Sequence, residues 1–239
     1  MQTPRFLPCG DTALTVEFGS AIDPGLNGKV LALDSLLRAN PPAGLIETVP
    51  TYRSLTLQFD PTITDYDALI HLLEEASTGL QPQAAMGTRW RVPVVYGGEY
   101  GVDLDDVAER HGLTPSRLIE LHSAAVYRIY MIGFIPGFAY LGGLDPRIAT
   151  SRRTQPRLKV PSGSIMIGGE QAGIVPMEMP SGWHLLGRTP VLSYAPGRDP
   201  AFLFAAGDEV VFDPIDASRW NDLERAALAG EPVAEPVHA

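Results

Sequence analysis

The segment from Met131 to Pro190 constrains the fold most, because it carries ten of the chain's 24 glycines among large apolar residues and isolated arginines. A flexible linker has no use for Phe134, Phe138, Tyr140, Leu141, Leu144 and Trp183. Glycine admits positive φ and close approach to the main chain, while proline removes donors and stiffens the path between turns. Two readings follow for this stretch: a β-barrel rich in tight turns, or a ligand or subunit surface built from backbone.

The 239 residues suffice for one large or two modest domains, and two are expected. With 45% hydrophobic and 19% charged residues the chain is globular in composition, and no apolar run approaches the ~18 residues of a membrane span. The first residues lack the apolar core of a secretory signal. A single cysteine, Cys9, excludes an internal disulfide and fits a cytoplasmic setting; it is expected to be a small packed residue.

Formal net charge is −10, which argues against broad attraction to nucleic acid or anionic lipid. Between Arg147 and Ala206, however, seven basic residues face three acidic ones, a local +4, while the remainder holds eleven basic and 25 acidic residues. Only Lys29 and Lys159 are lysines, so the cations of this segment are mostly arginines, whose planar fork grips carboxylate or phosphate at two points. The patch is either solvated or meets an anionic ligand.

Alternation over Ala13–Phe18 predicts a strand, and Asp23-Pro24 opens a helix towards Asn40 with Leu26, Val30, Leu33 and Leu37 inward. Strands at 46–49 and 54–59 follow, then a helix opened by Thr64-x-x-Asp67 and closed by Gly79, then a strand at Trp90–Tyr96. The order βαββαβ is that of a ferredoxin-like sandwich, assigned to residues 1–85. Helices are expected over Asp103–His111 and from Pro115 to about Ala125, the second capped by Thr114. Short β-type runs at 128–134, 164–167, 172–175, 183–188, 191–194 and 209–212 then predict a compact barrel over residues 86–215. Residues 216–239 are assigned a helix capped by Asp216 and a disordered tail. The fold class is therefore α+β.

There is no phosphate-binding Gly-x-x-x-x-Gly-Lys-Ser/Thr loop, no dinucleotide fingerprint and no nucleophile elbow. The histidines at 71, 111, 122, 184 and 238 show no metal-ligand spacing, so no protein-bound metal is expected. His122 shares a helix face with Leu118, Leu121 and Ala125; it is either a satisfied core residue or a proton relay sharing a pocket with Ser123 and Tyr130. His184 is the weaker candidate, a surface strand residue on its plainer reading. Phe134, Phe138 and Tyr140 suit a core as well as a ligand box. Pro136-Gly137 demands a tight turn that presents main-chain amides to an oxyanion. Arg157 and Arg188, beside turn residues, rank first among the arginines, ahead of Arg152-Arg153, read as a solvated pair.

The run Tyr130–Asp145, Pro-Arg-x-x-Val-Pro-Ser-Gly-Ser at 156–164 and Gly-Trp-x-Leu-x-Gly-Arg-Thr-Pro at 182–190 resemble the family of the 5-oxoprolinase B subunit. That family is also known as KipI-like or allophanate hydrolase subunit 1, and it corresponds to part of the carboxyltransferase region, subdomains C and D, of urea carboxylases. Gly10-Asp11-x-Ala13-Leu14, Val49–Ser54 and His122-Ser123 extend the resemblance to about Ile215. Ala139, where the family generally has proline, and Gln171–Val175, where Thr and Tyr are commoner, depart from it.

The resemblance implies an N-terminal ferredoxin-like domain and a C-terminal cyclophilin-like β-barrel. It further implies a larger partner, the enzyme's C subunit, with which the chain uses ATP, magnesium as its counter-ion, to phosphorylate 5-oxoproline. A third component, the A subunit, then helps convert the product to L-glutamate. The residues this reading singles out are His122, Arg157 and Arg188 for catalysis, and Tyr130, Phe134, Pro136, Gly137, Ser162 and Gly163 for binding substrate or nucleotide. Two alternatives stand beside it: a KipI-type inhibitor of a histidine kinase, and a component of an enzyme acting on a urea- or allophanate-like amide. Prolyl isomerase activity is not expected, since fold alone does not carry function.

Overall fold

The computed structural model describes residues 3–82 and 87–237. The chain divides into two compact units, Met1–Met86 and Gly87–Ala239.

The first unit begins with β1 (Arg5–Cys9) and β2 (Ala13–Glu17), followed by α1 (Pro24–Ala39), β3 (Leu45–Pro50), β4 (Ser54–Phe59) and α2 (Tyr66–Ser77). Period-2 alternation buries Leu14 and Val16 on β2 and Leu55, Leu57 and Phe59 on β4. Helical spacing buries Val30, Leu33 and Leu37 of α1 and Leu69 and Leu73 of α2 in the same cluster. Asp23 caps α1, as expected, by accepting from the Leu26 amide; α2 is capped by Asp65, one residue after the expected Thr64. The sheet is antiparallel in the order β1-β2-β4-β3.

That order is ferredoxin-like, with one correction to the element count. The edge beside β2 is filled by β1, not by the strand after α2. Trp90–Tyr96, expected to complete the βαββαβ order, belongs to the second unit as β5 (Arg89–Tyr96).

After β5 come α3 (Leu104–Arg110), α4 (Pro115–Ser123), β6 (Val126–Ile132), β7 (Ala139–Gly142) and a 3-10 turn at Pro146–Ile148. Then follow β8 (Arg157–Val160), β9 (Ser164–Gly168), β10 (Gln171–Ile174), β11 (Met179–Ser181), β12 (His184–Arg188) and β13 (Glu209–Pro214). A 3-10 turn capped by Asp216 leads into α5 (Trp220–Leu228), and the described chain ends in β14 (Glu235–Val237). The sheet β12-β9-β10-β7-β6-β13-β5 closes through β12–β5 pairing, giving a seven-strand barrel. Ile165 and Ile167, Ala172 and Ile174, Ala139 and Leu141, Tyr127 and Ile129, Val210 and Phe212, Val92 and Val94, and Leu186 join one core, the alternation that barrel closure demands. Leu104, Val107, Leu118 and Leu121 of the two helices pack into it.

Three expectations are corrected here. Residues 231–237 are not a disordered tail: β14 pairs with Arg89–Arg91 of β5, and Ala234 is buried in the barrel core. The unpaired half of β5 leaves open main-chain groups that this strand satisfies; His238 and Ala239 lie outside the described residues. Residues 191–194 form no strand beyond a Tyr194–Phe202 bridge. Cys9, finally, is exposed.

Candidate functional site

Residues between the inward positions of β7, β9, β10 and β12 face the other way, and there a second apolar cluster forms from Phe138, Val160, Met166, Val175, Met179, Trp183 and Leu185. Glycine lets the rings rest directly on the strand backbone. A Cβ on Gly173 would lie 2.9 Å from the Phe138 ring, and one on Gly168 2.7 Å from the Trp183 indole. Phe138 meets Tyr140 edge-on with centroids 4.5 Å apart, and each lies 6.2 Å from Trp183. Beside these rings a groove of about 370 Å³ opens, walled by Phe134, Tyr140, Arg152, Arg153, Met179 and Trp183 among others. Its lining holds two arginines and no acidic side chain, in a chain of net charge −10.

The two arginines are held differently. Arg152 is exposed and places its guanidinium carbon 5.5 Å from the Trp183 ring centroid. This contact engages the guanidinium charge, and among the described residues no hydrogen-bond or ion-pair partner engages its N–H donors. Arg153 donates to Asp103 at 3.1 Å. The buried Asp103 carboxylate also accepts from Arg157 at 2.8 and 2.7 Å and from the Leu185 amide at 2.8 Å. Burial pushes the Asp103 carboxyl up, but the hydrogen bonds from Arg157 and Leu185 and the charges of Arg157 and Arg153 outweigh it and hold it below the usual carboxylate range. The loop carrying Arg152 is pinned on both sides: His184 Nε2 lies 2.9 Å from the Ser151 carbonyl, and the Arg153 amide donates to Gly182 O at 2.7 Å. Within the groove, burial raises the Tyr140 phenol against the opposing charge of Arg152, so it stays neutral near pH 7.

The structure scatters the residues expected to form the site. His122 has no exposed surface; its Nδ1 lies 2.8 Å from the Tyr96 hydroxyl and its ring stacks on Phe212 at 5.0 Å. Burial drives the imidazole down from 6.5 to about 3. The pocket expected with Ser123 and Tyr130 does not form, since Ser123 donates to its own helix at Ile119 O and Tyr130 is buried against Gly142. Arg157 is bound to Asp103. Arg188 donates twice to Ser162 O, at 3.2 and 3.1 Å, and stacks 4.8 Å over Trp220. Arg188, Ser162 and Gly163 do come together, as a clamp: the Gly163 amide donates to Val175 O and Gly163 O accepts from the Thr189 amide.

Phe134 alone of the expected residues lines the groove. It is 68% exposed and stands at φ +70, a left-handed conformation that is rare for a bulky side chain. Pro136-Gly137 form the expected tight turn, Gly137 at φ +82, closed by the Phe138 amide donating to Ile135 O. The groups expected to hold phosphates are thus engaged within the chain: Arg157, Arg188 and the amides of Phe138, Gly163 and Ser164 all have internal partners.

Arg152, Asp103 and His184 are the residues missed or set aside. Asp103 looks like a helix cap but makes no capping bond, and the expected solvated pair Arg152-Arg153 is neither solvated alike nor a pair. The signal for them is pairing of β12 with its neighbours, which brings Gly182–His184 to the loop at Ser151–Arg153 and which no local spacing encodes.

A four-stranded ferredoxin-like sheet followed by a closed seven-strand barrel is the architecture of a carboxyltransferase-type domain. The family described as carboxyltransferase domain, subdomain C and D, matches residues 4–204, and the chain belongs to it. Among its relatives, the 5-oxoprolinase B subunit of Bacillus subtilis (strain 168) is 37% identical over 227 residues, covering 89% of this chain and 93% of that one. The 5-oxoprolinase B subunit of Haemophilus influenzae is 42% identical over 168 residues, 70% of this chain and 78% of that one. The Kluyveromyces lactis urea carboxylase structure superposes with a TM-score of 0.84 over 99% of this chain and 24% of that one; at 18% identity the likeness is one of fold.

Proposed function

We propose that this chain is the B subunit of an ATP-dependent 5-oxoprolinase. The observation that carries the reading is near-full-length relationship to proteins of that name, 37% identical over 89% of the chain for the Bacillus subtilis relative. In this reading the chain acts in a cytoplasmic hetero-oligomer with a protein like the enzyme's C subunit, and the A subunit then finishes conversion to L-glutamate. An amide carbonyl is a poor electrophile until its oxygen is phosphorylated, and ATP supplies the phosphoryl group that activates the lactam. The nucleotide and its magnesium are shared with the partner in this reading, since Arg157, Arg188 and the amides of Phe138, Gly163 and Ser164 already have internal partners. This chain contributes the groove, whose neutral Tyr140 hydroxyl can donate to or accept from a lactam. No helix among the described residues is long and apolar enough to cross a membrane.

The test is co-purification with a protein of the C-subunit type and assay of 5-oxoproline-dependent ATP hydrolysis. A stable complex whose hydrolysis requires 5-oxoproline supports the reading. A chain that binds no such partner, or a complex indifferent to 5-oxoproline, overturns it.

A further inference from the structure

Three of the sizeable cavities among the described residues differ in the chemistry of their walls. One in the first unit, about 390 Å³, is lined by Lys29 and Glu74, opposite charges that cancel, amid Phe6, Phe18 and Leu80. One under the C-terminal strand, about 320 Å³, holds Arg198, whose donors are engaged by the carbonyls of Pro200, Leu192 and Ala201. Of the three, the groove on the barrel wall is the one that joins an uncompensated cation to a ring-shaped apolar floor.

We infer that this groove binds a small ring bearing a carboxylate, the ring beside Tyr140 and Phe134 over the floor of Trp183 and Phe138, and the carboxylate on the N–H donors of Arg152. The inference rests on the proposed function, and within it assigns the subsite for 5-oxoproline itself.

Several observations converge on this ligand. Phe138 and Trp183, 2% and 6% exposed and backed by Gly173 and Gly168, form a rigid apolar floor, and the more exposed Tyr140 and Phe134 stand beside it. The Arg152 guanidinium carbon already lies 5.5 Å over the Trp183 ring, so its side chain is partly confined before it engages an anion. Arg153 and Arg157 share the single carboxylate of Asp103, which leaves the wall with excess positive charge. His184 and Gly182 fix the loop that carries Arg152 against the rings. Phe134, exposed at the rim in a left-handed conformation and 6.4 Å from Phe138, is placed to cover a ring seated in the groove.

Titration of the full chain with 5-oxoproline, following the tryptophan indole N–H resonances by NMR, tests the site directly. Trp183 should shift while Trp90 and Trp220, which do not line the groove, stay put. Arg152→Ala should weaken binding about tenfold or more, the size of one lost charged hydrogen bond, with partial recovery in Arg152→Lys. 2-Pyrrolidinone, the same ring without the carboxylate, should bind wild type and Arg152→Ala alike, and Arg117→Ala, an exposed control paired with Glu120, should change nothing. Equal affinity of wild type and Arg152→Ala for 5-oxoproline, no binding by the chain, or shifts confined to another tryptophan overturns the assignment. In the reconstituted complex Arg152→Ala should raise KM for 5-oxoproline with kcat little changed. A complex that turns over 5-oxoproline with an unaltered KM in this variant removes the subsite and leaves the function standing. A complex that ignores 5-oxoproline removes the function, and the NMR titration then judges the groove alone.

Discussion

His122 is enclosed by Tyr96, Tyr127 and Phe212, and burial lowers its imidazole from 6.5 to about 3. Between those values the unfolded chain binds a proton that the folded chain refuses. The stability His122 confers is therefore complete above about pH 6.5 and is lost as pH falls towards 3, at up to about 1.4 kcal/mol per pH unit. Denaturant unfolding at pH 6, 5 and 4 should show wild type losing stability more steeply than His122→Gln; parallel curves would contradict this. The arginines should divide in the same way between structure and binding. Asp103→Asn leaves two guanidinium groups without their carboxylate and should cost about 3 kcal/mol of stability, whereas Arg152→Ala should cost under about 0.5 kcal/mol. Thermal unfolding of both variants decides this, and comparable losses would refute the division. Sequence motifs singled out Arg157 and Arg188 but could not show that both are braced within the chain. Arg157 and Arg188 sit in turn-rich motifs because their charges tie those turns together, and a motif does not distinguish an arginine that braces a turn from one that faces a ligand.

Gly163 shows what the glycine density does at the level of elements. It stands at φ +77, and an added Cβ would lie 2.1 Å from the Thr189 carbonyl oxygen, so Gly163→Ala should cost at least about 2 kcal/mol and loosen the junction of β9 with the segment after β12. Gly133, by contrast, has nothing nearer than 4.0 Å to an added Cβ, and Gly133→Ala should be neutral or slightly stabilising. Equal melting temperatures for the two variants would sink this contrast. The helices were legible because their caps and apolar spacing are local: Asp23, Thr114 and the stripe of α1 all stand as expected. The strands of the barrel were legible as runs but not as partners. β1, β7, β8 and β11 are short or interrupted by proline and glycine, and β14 exists only because the edge of β5 is there to receive it. Removing residues 231–239 should therefore lower the melting temperature, since it bares that edge and takes Ala234 from the core; an unchanged melting curve would contradict the pairing.

At the scale of the whole molecule, the change from helix-covered sheet to turn-rich barrel was visible in composition, because amphipathic helices and glycine-spaced strands leave different patterns. The groove was not, since its wall assembles residues from Phe134 to Trp183 that only barrel closure brings together. Arg157, Arg188 and the amides of Phe138, Gly163 and Ser164 are engaged internally, which a sequence motif does not reveal. The proposed role of the chain is recognition of 5-oxoproline for an enzyme whose chemistry needs its partners. The most direct measurement is glutamate release from 5-oxoproline and ATP by the reconstituted enzyme, with this chain present, withheld and alone. Turnover is expected only in the complete mixture; glutamate formed without this chain, or by this chain alone, overturns the proposed role.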